Sequence, residues 1–316
     1  EVALEWLQVP NPHGRPTSDV LRFTFNAMDV TRRPSWLWNI DFGTMAESEA
    51  CLYEKPFEWV KLNVWPERQN HREAIQVKCW WRFARPCSDM RVALAPYARY
   101  LATPRVSKHR VFAWLGNEVI PDSALTVFAR DDDFFFGVLH SRFHEVWALA
   151  QGTQLREKES GFRYTPTTCF ETFPFPEPTE PQRASIAAAA RELNALRERW
   201  LNPPEWTREE ILEFPATPGG PWTRFIDHSA LRDPHSAVAK YPRLVPADAK
   251  AAAELKKRTL TNLYNQRPAW LANAHAALDA AVADAYGFAP DLPEPEILAK
   301  LLESNLAGGA TESCAK

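Results

Sequence analysis

A chain of 316 residues with 45% hydrophobic content, thirteen Trp and eighteen Phe is long enough for two domains and can fill a substantial core. Its net charge of -3 and pI near 6.3 exclude a wholly basic nucleic-acid binder, yet residues 61–110 hold eleven Lys/Arg against three acids, a local balance of +8. Cys51, Cys79, Cys87, Cys169 and Cys314 form no C-x-x-C pair, and no signal peptide or long apolar run occurs, so a cytoplasmic, metal-free chain without a disulfide framework is expected.

Residues 1–14 read as the end of a helix and a linker that Pro10, Pro12 and Gly14 keep from continuing it; starting at Glu1 without Met, the chain reads as part of something longer. Residues 21–25 make a short strand, and residues 36–42 an alternating one that stops at Gly43. Thr44 and Glu47 have capping-box spacing for a helix from Met45 that breaks near Pro56, which in turn suits the first turn of the next helix. Residues 75–83, with Trp80 and Trp81, are expected as a strand, followed by strands at 100–103, 111–115 and 124–130. From Phe135 the spacing turns helical through Leu139, Phe143, Val146, Trp147 and Ala150, up to Gly152. Asp131, Asp132 and Asp133 invite reading as metal ligands, but the cap of that helix is the simpler role.

Beyond Pro176 helices dominate, at 182–200, 247–260, 268–286 (opened by Pro268, closed by Gly287) and 296–306, before a tail expected to be disordered. Residues 201–246 are Pro-rich and read as a surface wrap with a short helix near 208–214. The fold class is therefore α/β of the α+β kind: a mostly antiparallel, strand-rich domain over residues 15–176, a helical region over 177–310, and a tail over 311–316.

In this order, Asn26-x-x-Asp29-Val30, Trp38-x-Ile40-Asp41-Phe42-Gly43, the basic stretch 102–110, Gly137-Val138-Leu139-His140-Ser141-Arg142, the stretch 163–168 and Phe173-Pro174-Phe175-Pro176 are distinctive together though weak singly. With residues 260–271, they resemble the target-recognition half and C-terminal end of large adenine-N6 DNA methyltransferases, among them single-chain type II restriction-modification enzymes. The resemblance spans nearly the whole chain. It implies double-stranded DNA as partner, an N-terminal methyltransferase domain in the same parent chain, S-adenosylmethionine as that parent's cofactor, and a role in phage defence. The family's Gly-rich cofactor loop has no counterpart here, because no G-x-G occurs. Asn202-Pro203-Pro204-Glu205 departs from the (Asn/Asp)-Pro-Pro-(Tyr/Phe) loop by placing Glu where the aromatic belongs. Catalytic and cofactor-binding residues are thus expected outside this chain, and no metal site is expected in it.

Arg105, Ser107, Lys108, His109 and Arg110 are the candidate phosphate-contacting turn, and at least two of its cations should be exposed, against the bland alternative of a solvated turn. Arg156, Glu157, Lys158 and Glu159 alternate charge in a loop between Gly152 and Gly161 that can track a groove, with Arg163, Tyr164 and Thr165 as candidates just beyond it; glutamates there can accept from cytosine N4. His140 and Arg142 are further candidates near a helix start, whereas His71, His109 and His144 read most simply as hydrogen-bonded surface histidines. Phe173 and Phe175 read as a core plug. The alternatives to DNA recognition are a protein-interaction scaffold and a self-contained methyltransferase using Asn202-Pro203-Pro204.

Overall fold

The computed structural model describes residues 1–154, 161–229 and 237–313. Strand β1 (Leu21–Phe25) turns Leu21, Phe23 and Phe25 into a buried cluster. It pairs antiparallel with the edge strand β2 (Leu37–Ile40) and parallel with β6 (Val119–Pro121), while helix α1 (Val2–Gln8) buries Leu7 against the same cluster. Between β1 and β2, helix α2 (Ala27–Thr31) starts at a capping box: the Asn26 side chain accepts from the Met28 and Asp29 N–H groups, and Asp29 accepts from the Asn26 N–H. That is the physical content of the Asn26-x-x-Asp29 motif. Asp41, at the end of the other motif, is buried and bound by two guanidinium nitrogens of Arg91.

Short helices α3 (Glu47–Ala50), α4 (Glu54–Asn63), α5 (Trp65–Arg68), α6 (Ala74–Lys78) and α7 (Ser88–Leu94) follow. Here two expectations fail. Thr44 caps nothing, since α3 begins at Glu47 after an uncapped Ala46. The strand expected at 75–83 is α6 and a loop, because Trp80 and Trp81 are both buried against Phe42, Tyr53 and Val60, which strand alternation would forbid.

A second antiparallel sheet orders β5 (Ala113–Gly116), β3 (Arg99–Pro104) and β7 (Leu125–Phe128). β4 (Val106–Ser107) continues from β3 into a third, three-stranded ribbon with β9 (Phe162–Arg163) and β8 (Thr153–Gln154). The expected helix from Phe135 is two, α8 (Asp133–His140) and α9 (Arg142–Gln151), broken where Ser141 turns its hydroxyl back onto Val138 O. Asp132 caps α8 through the Phe135 N–H, and Asp133 pairs with Arg99 and Arg191, so these two carboxylates are taken up by the protein itself.

α8 and α9 pack with α10 (Glu180–Leu201), α12 (Leu260–Gln266), α13 (Ala269–Tyr286) and α14 (Glu294–Ser313) around the largest core, into which Phe173 and Phe175 insert. Gly287 closes α13 in the left-handed region, as its sequence position implied. The Pro-rich 201–246 stretch is the main correction. Its expected helix is instead strand β10 (Thr207–Pro215), paired over nine residues with β11 (Val238–Pro246), which leads into α11 (Ala249–Leu255). This hairpin reaches back to the first sheet, where Phe214, Tyr241 and Trp222 bury against Phe23. α14 also continues past Leu306, where a disordered tail was expected.

Candidate nucleic-acid interface

The ribbon of β4, β9 and β8 is where the candidate residues meet. Val106 pairs with Arg163 and Ser107 with Phe162, while Thr153 and Gln154 flank the same two residues from the other side. The clasp extends by one bond, from the Tyr164 N–H to the Arg105 carbonyl at 2.7 Å. Gly161 makes this possible: at φ +83° a side chain is disfavoured, and a Cβ would stand 2.0 Å from the Ser107 carbonyl oxygen. Gln154 and Gly161, the described residues on either side of 155–160, thus lie in or next to this ribbon.

On this ribbon Arg105 and Arg163 are exposed, and neither side chain has a hydrogen bond or ion pair to another described residue. Lys108 is exposed and donates to Asn265 Oδ1 at 2.8 Å; the half-buried His109 places Nε2 2.9 Å from the same oxygen. Ser107 is buried and closes the turn by donating its hydroxyl to the His109 carbonyl.

Of the other candidates, Arg110, His140 and Tyr164 are buried like Ser107, while Arg142 and Thr165 are half-buried. Arg110 is 6% exposed, bonded to Thr103 Oγ1, Pro104 O and Phe162 O and stacked over Phe162 and Tyr164, with desolvation pulling its pKa down to about 10. Tyr164 is buried and donates its hydroxyl to His144 Nε2, whose Nδ1 faces Leu139 O. His144 is thus no surface histidine; burial lowers its pKa to about 3. His140 is buried, accepts from Arg197 and the Phe112 N–H, and is held neutral first by desolvation and then by Arg197. Arg142 donates to the Pro290 and Leu292 carbonyls, and its own N–H is accepted by Asp279. Thr165 is half-buried and offers its carbonyl to the single π-helical turn of residues 166–170. These residues support the ribbon from beneath. Arg156, Glu157, Lys158 and Glu159 lie outside the described residues.

The +8 balance of residues 61–110 is only half a surface property. Arg91 binds Asp41, Arg99 binds Asp133, and Arg68 and Arg82 donate to backbone carbonyls, which leaves Lys61, Arg72, Lys78, Arg85, Arg105 and Lys108 exposed. Asn202-Pro203-Pro204 ends α10: the Asn202 amide oxygen accepts from Arg33 and its nitrogen faces Glu198, so the group that would have to hold a substrate amine is engaged. No group of three metal-ligating side chains exists among the described residues, and no described helix is long and apolar enough to cross a membrane. Sequence reasoning missed Asn265, which sits 156 and 157 residues from its partners; its only signal was its place in the 260–271 motif.

Residues 89–177, from α7 through the Phe-Pro-Phe-Pro turn, match the family model described as MmeI, target recognition domain. The DNA methyltransferase A of Bacillus subtilis (strain 168) is 28% identical over 159 residues, which is 47% of this chain and 18% of that protein. Among solved structures, the type IIL restriction-modification enzyme MmeI in complex with DNA superposes with a TM-score of 0.61 and 19% identity, over 94% of this chain and 32% of that one. The mixed fold with a helical C-terminal region is therefore that of MmeI's matching part, and the sequence resemblance to large DNA methyltransferases holds. The chain spans about a fifth to a third of the length of these relatives.

Proposed function

We propose that this chain is the sequence-specific recognition module of a site-specific adenine-N6 DNA methyltransferase of the restriction-modification or phage-defence type, working in the cytoplasm. One observation carries the reading: Arg105, Arg163 and Lys108 are exposed at a ribbon whose strands flank residues 155–160, and neither arginine side chain is paired with another described residue. Arg105 and Lys108 contact phosphates, because an exposed cation on a rigid base gives affinity without sequence preference. Arg163 and residues 156–159 read base edges. S-adenosylmethionine and the chemistry belong to an N-terminal methyltransferase domain of the parent chain, which would extrude the adenine. The likeness of residues 89–177 to a target recognition domain supports the assignment of duplex DNA as partner.

The test is fluorescence anisotropy of the 316-residue chain on duplex DNA over a salt series. Replacing Arg105 and Lys108 by Ala should weaken binding to all sequences and flatten log affinity against log salt by roughly one unit per lost phosphate contact. An unchanged slope would overturn the assignment of this turn.

A further inference from the structure

We infer that the C-terminal end of α12, Asn265–Gln266–Arg267, forms a second wall of the DNA-contacting surface, with Asn265 positioning Lys108 and His109 and Arg267 meeting the phosphate backbone. The inference rests on the function proposed above and extends it into the C-terminal region.

Three observations place this wall. First, a single amide oxygen, Asn265 Oδ1, receives Lys108 Nζ at 2.8 Å and lies 2.9 Å from His109 Nε2, tying two residues of the basic turn to α12. An exposed lysine otherwise samples many rotamers, so a fixed acceptor narrows the directions in which its remaining donors point.

Second, Arg267 has φ +41° and ψ +60°, the left-handed region, at the position that closes α12. Glycine is the unstrained choice at that position, and α13 in the same chain uses Gly287 there. Its N–H closes the helix on Leu263 O, but its exposed side chain has no hydrogen bond or ion pair to a described residue, and a partner outside the chain accounts for keeping an arginine at this backbone cost. The last carbonyls of α12 present the negative end of the helix dipole, which disfavours a phosphate; the Arg267 and Lys108 charges offset it.

Third, the wall is rigid and on the correct side. Thr261 Oγ1 donates to Thr31 O on α2, and Tyr264 sets its hydroxyl 3.0 Å from His275 on α13, so α12 is fixed at both flanks. The Tyr264 ring lies 5.9 Å from the His109 ring. Asn265, two residues before Arg267, lies 2.9 Å from His109 Nε2, which sets this end of α12 beside the basic turn; the Arg267 charge also acts on the Glu145 and Asp279 carboxyls.

The competing role for Arg267 is to balance Glu145 and Asp279, and the substitution Arg267→Gly separates the two. Glycine relaxes the left-handed backbone, and the melting temperature of this variant separates a loss of DNA affinity from a loss of fold. On duplex DNA, Arg267→Gly should flatten the salt slope by about one unit with an unchanged or raised melting temperature. Asn265→Ala should weaken binding roughly three- to tenfold in the natural chain and have a clearly smaller effect when Lys108 is already Ala. An Arg267→Gly slope equal to that of the natural chain would overturn the wall. An undiminished Asn265→Ala effect in the Lys108→Ala background would overturn the positioning role. Failure of the basic turn would look different: Arg105→Ala with Lys108→Ala would be inert while Arg267→Gly still flattened the slope.

Discussion

Gly161→Ala tests the link between the ribbon and the basic turn without removing a charge. The added Cβ would stand 2.0 Å from the Ser107 carbonyl oxygen, 2.4 Å from its carbon and 2.7 Å from the Lys108 nitrogen, whereas ordinary contact begins at 3.4 Å. All three atoms are backbone, so no side chain can swing aside; β4 and β9 must part by more than an ångström, which breaks the pairing of Ser107 with Phe162. The left-handed φ adds about 1 kcal/mol for a residue with a Cβ, and overpacking of this kind adds about 1–3 kcal/mol. The displaced group is Lys108, so DNA affinity should fall severalfold while the net charge is unchanged. Differential scanning calorimetry reads the stability loss, and anisotropy at fixed salt reads the affinity. A variant that melts and binds like the natural chain would refute the close approach of Gly161 to Ser107 and, with it, the argument that the ribbon positions the turn.

Asp279 has its pKa raised by desolvation to about 6, so native-state protonation makes stability fall as pH rises from about 4 through 6, with the full penalty above that range. Asp279→Asn keeps an acceptor for the Arg142 N–H and should stabilise the protein by about 1–2 kcal/mol at pH 7, with no gain at pH 4, as read by denaturant titration at both values. His144 and His275 have the opposite sign: burial lowers them to about 3 and about 4, so stability is full above about pH 6.5 and is lost as pH falls toward those values, by up to about 1.4 kcal/mol per pH unit for each. His275→Gln, which keeps a partner for the Tyr264 hydroxyl, should remove one such contribution from the melting temperature measured between pH 6.5 and 4.5. Arg197 is 1% exposed, has no carboxylate in ion-pair range among the described residues, and donates to Phe112 O and His140; Arg197→Met should cost about 2–4 kcal/mol by orphaning both acceptors, and a stabilised variant would show that the charge outweighs them.

Much of the fold was legible wherever periodicity and punctuation agreed. β1 has three apolar residues at alternate positions between a proline-rich approach and the Asn26 cap, and α10 and α13 carry long stripes with Pro at one end. The hairpin of β10 and β11 was not legible because little of it is buried. Burial alternates along β11, with Ala239 and Tyr241 inward, but the apolar Ile211, Val238 and Leu244 are exposed, so the sequence itself shows no clean alternation of hydropathy. Trp80 and Trp81 misled for the opposite reason: strong strand formers in sequence were recruited as adjacent plugs of an aromatic cluster, and packing outweighed propensity.

The site divides along the same physical line. Sequence marks which residues can carry charge or donate hydrogen bonds, but not whether they face water, and in a basic turn next to a core both uses occur side by side. Arg105 and Lys108 project outward, while Arg110, two residues beyond Lys108, turns under the ribbon to hold Thr103, Pro104 and Phe162 together. His140, Ser141 and Tyr164, all within family-like motifs, are buried in the same way, so a recurring polar residue in such a motif identifies the scaffold as readily as the contact. Asn265 shows the complementary gap. A residue that organises the turn lies on a helix more than 150 positions away, and only the three-dimensional structure brings its amide to Lys108 and His109. If the surface binds DNA as proposed, its rigidity comes from buried arginine and histidine bonds beneath it, and its reach from the few cations that those bonds leave free.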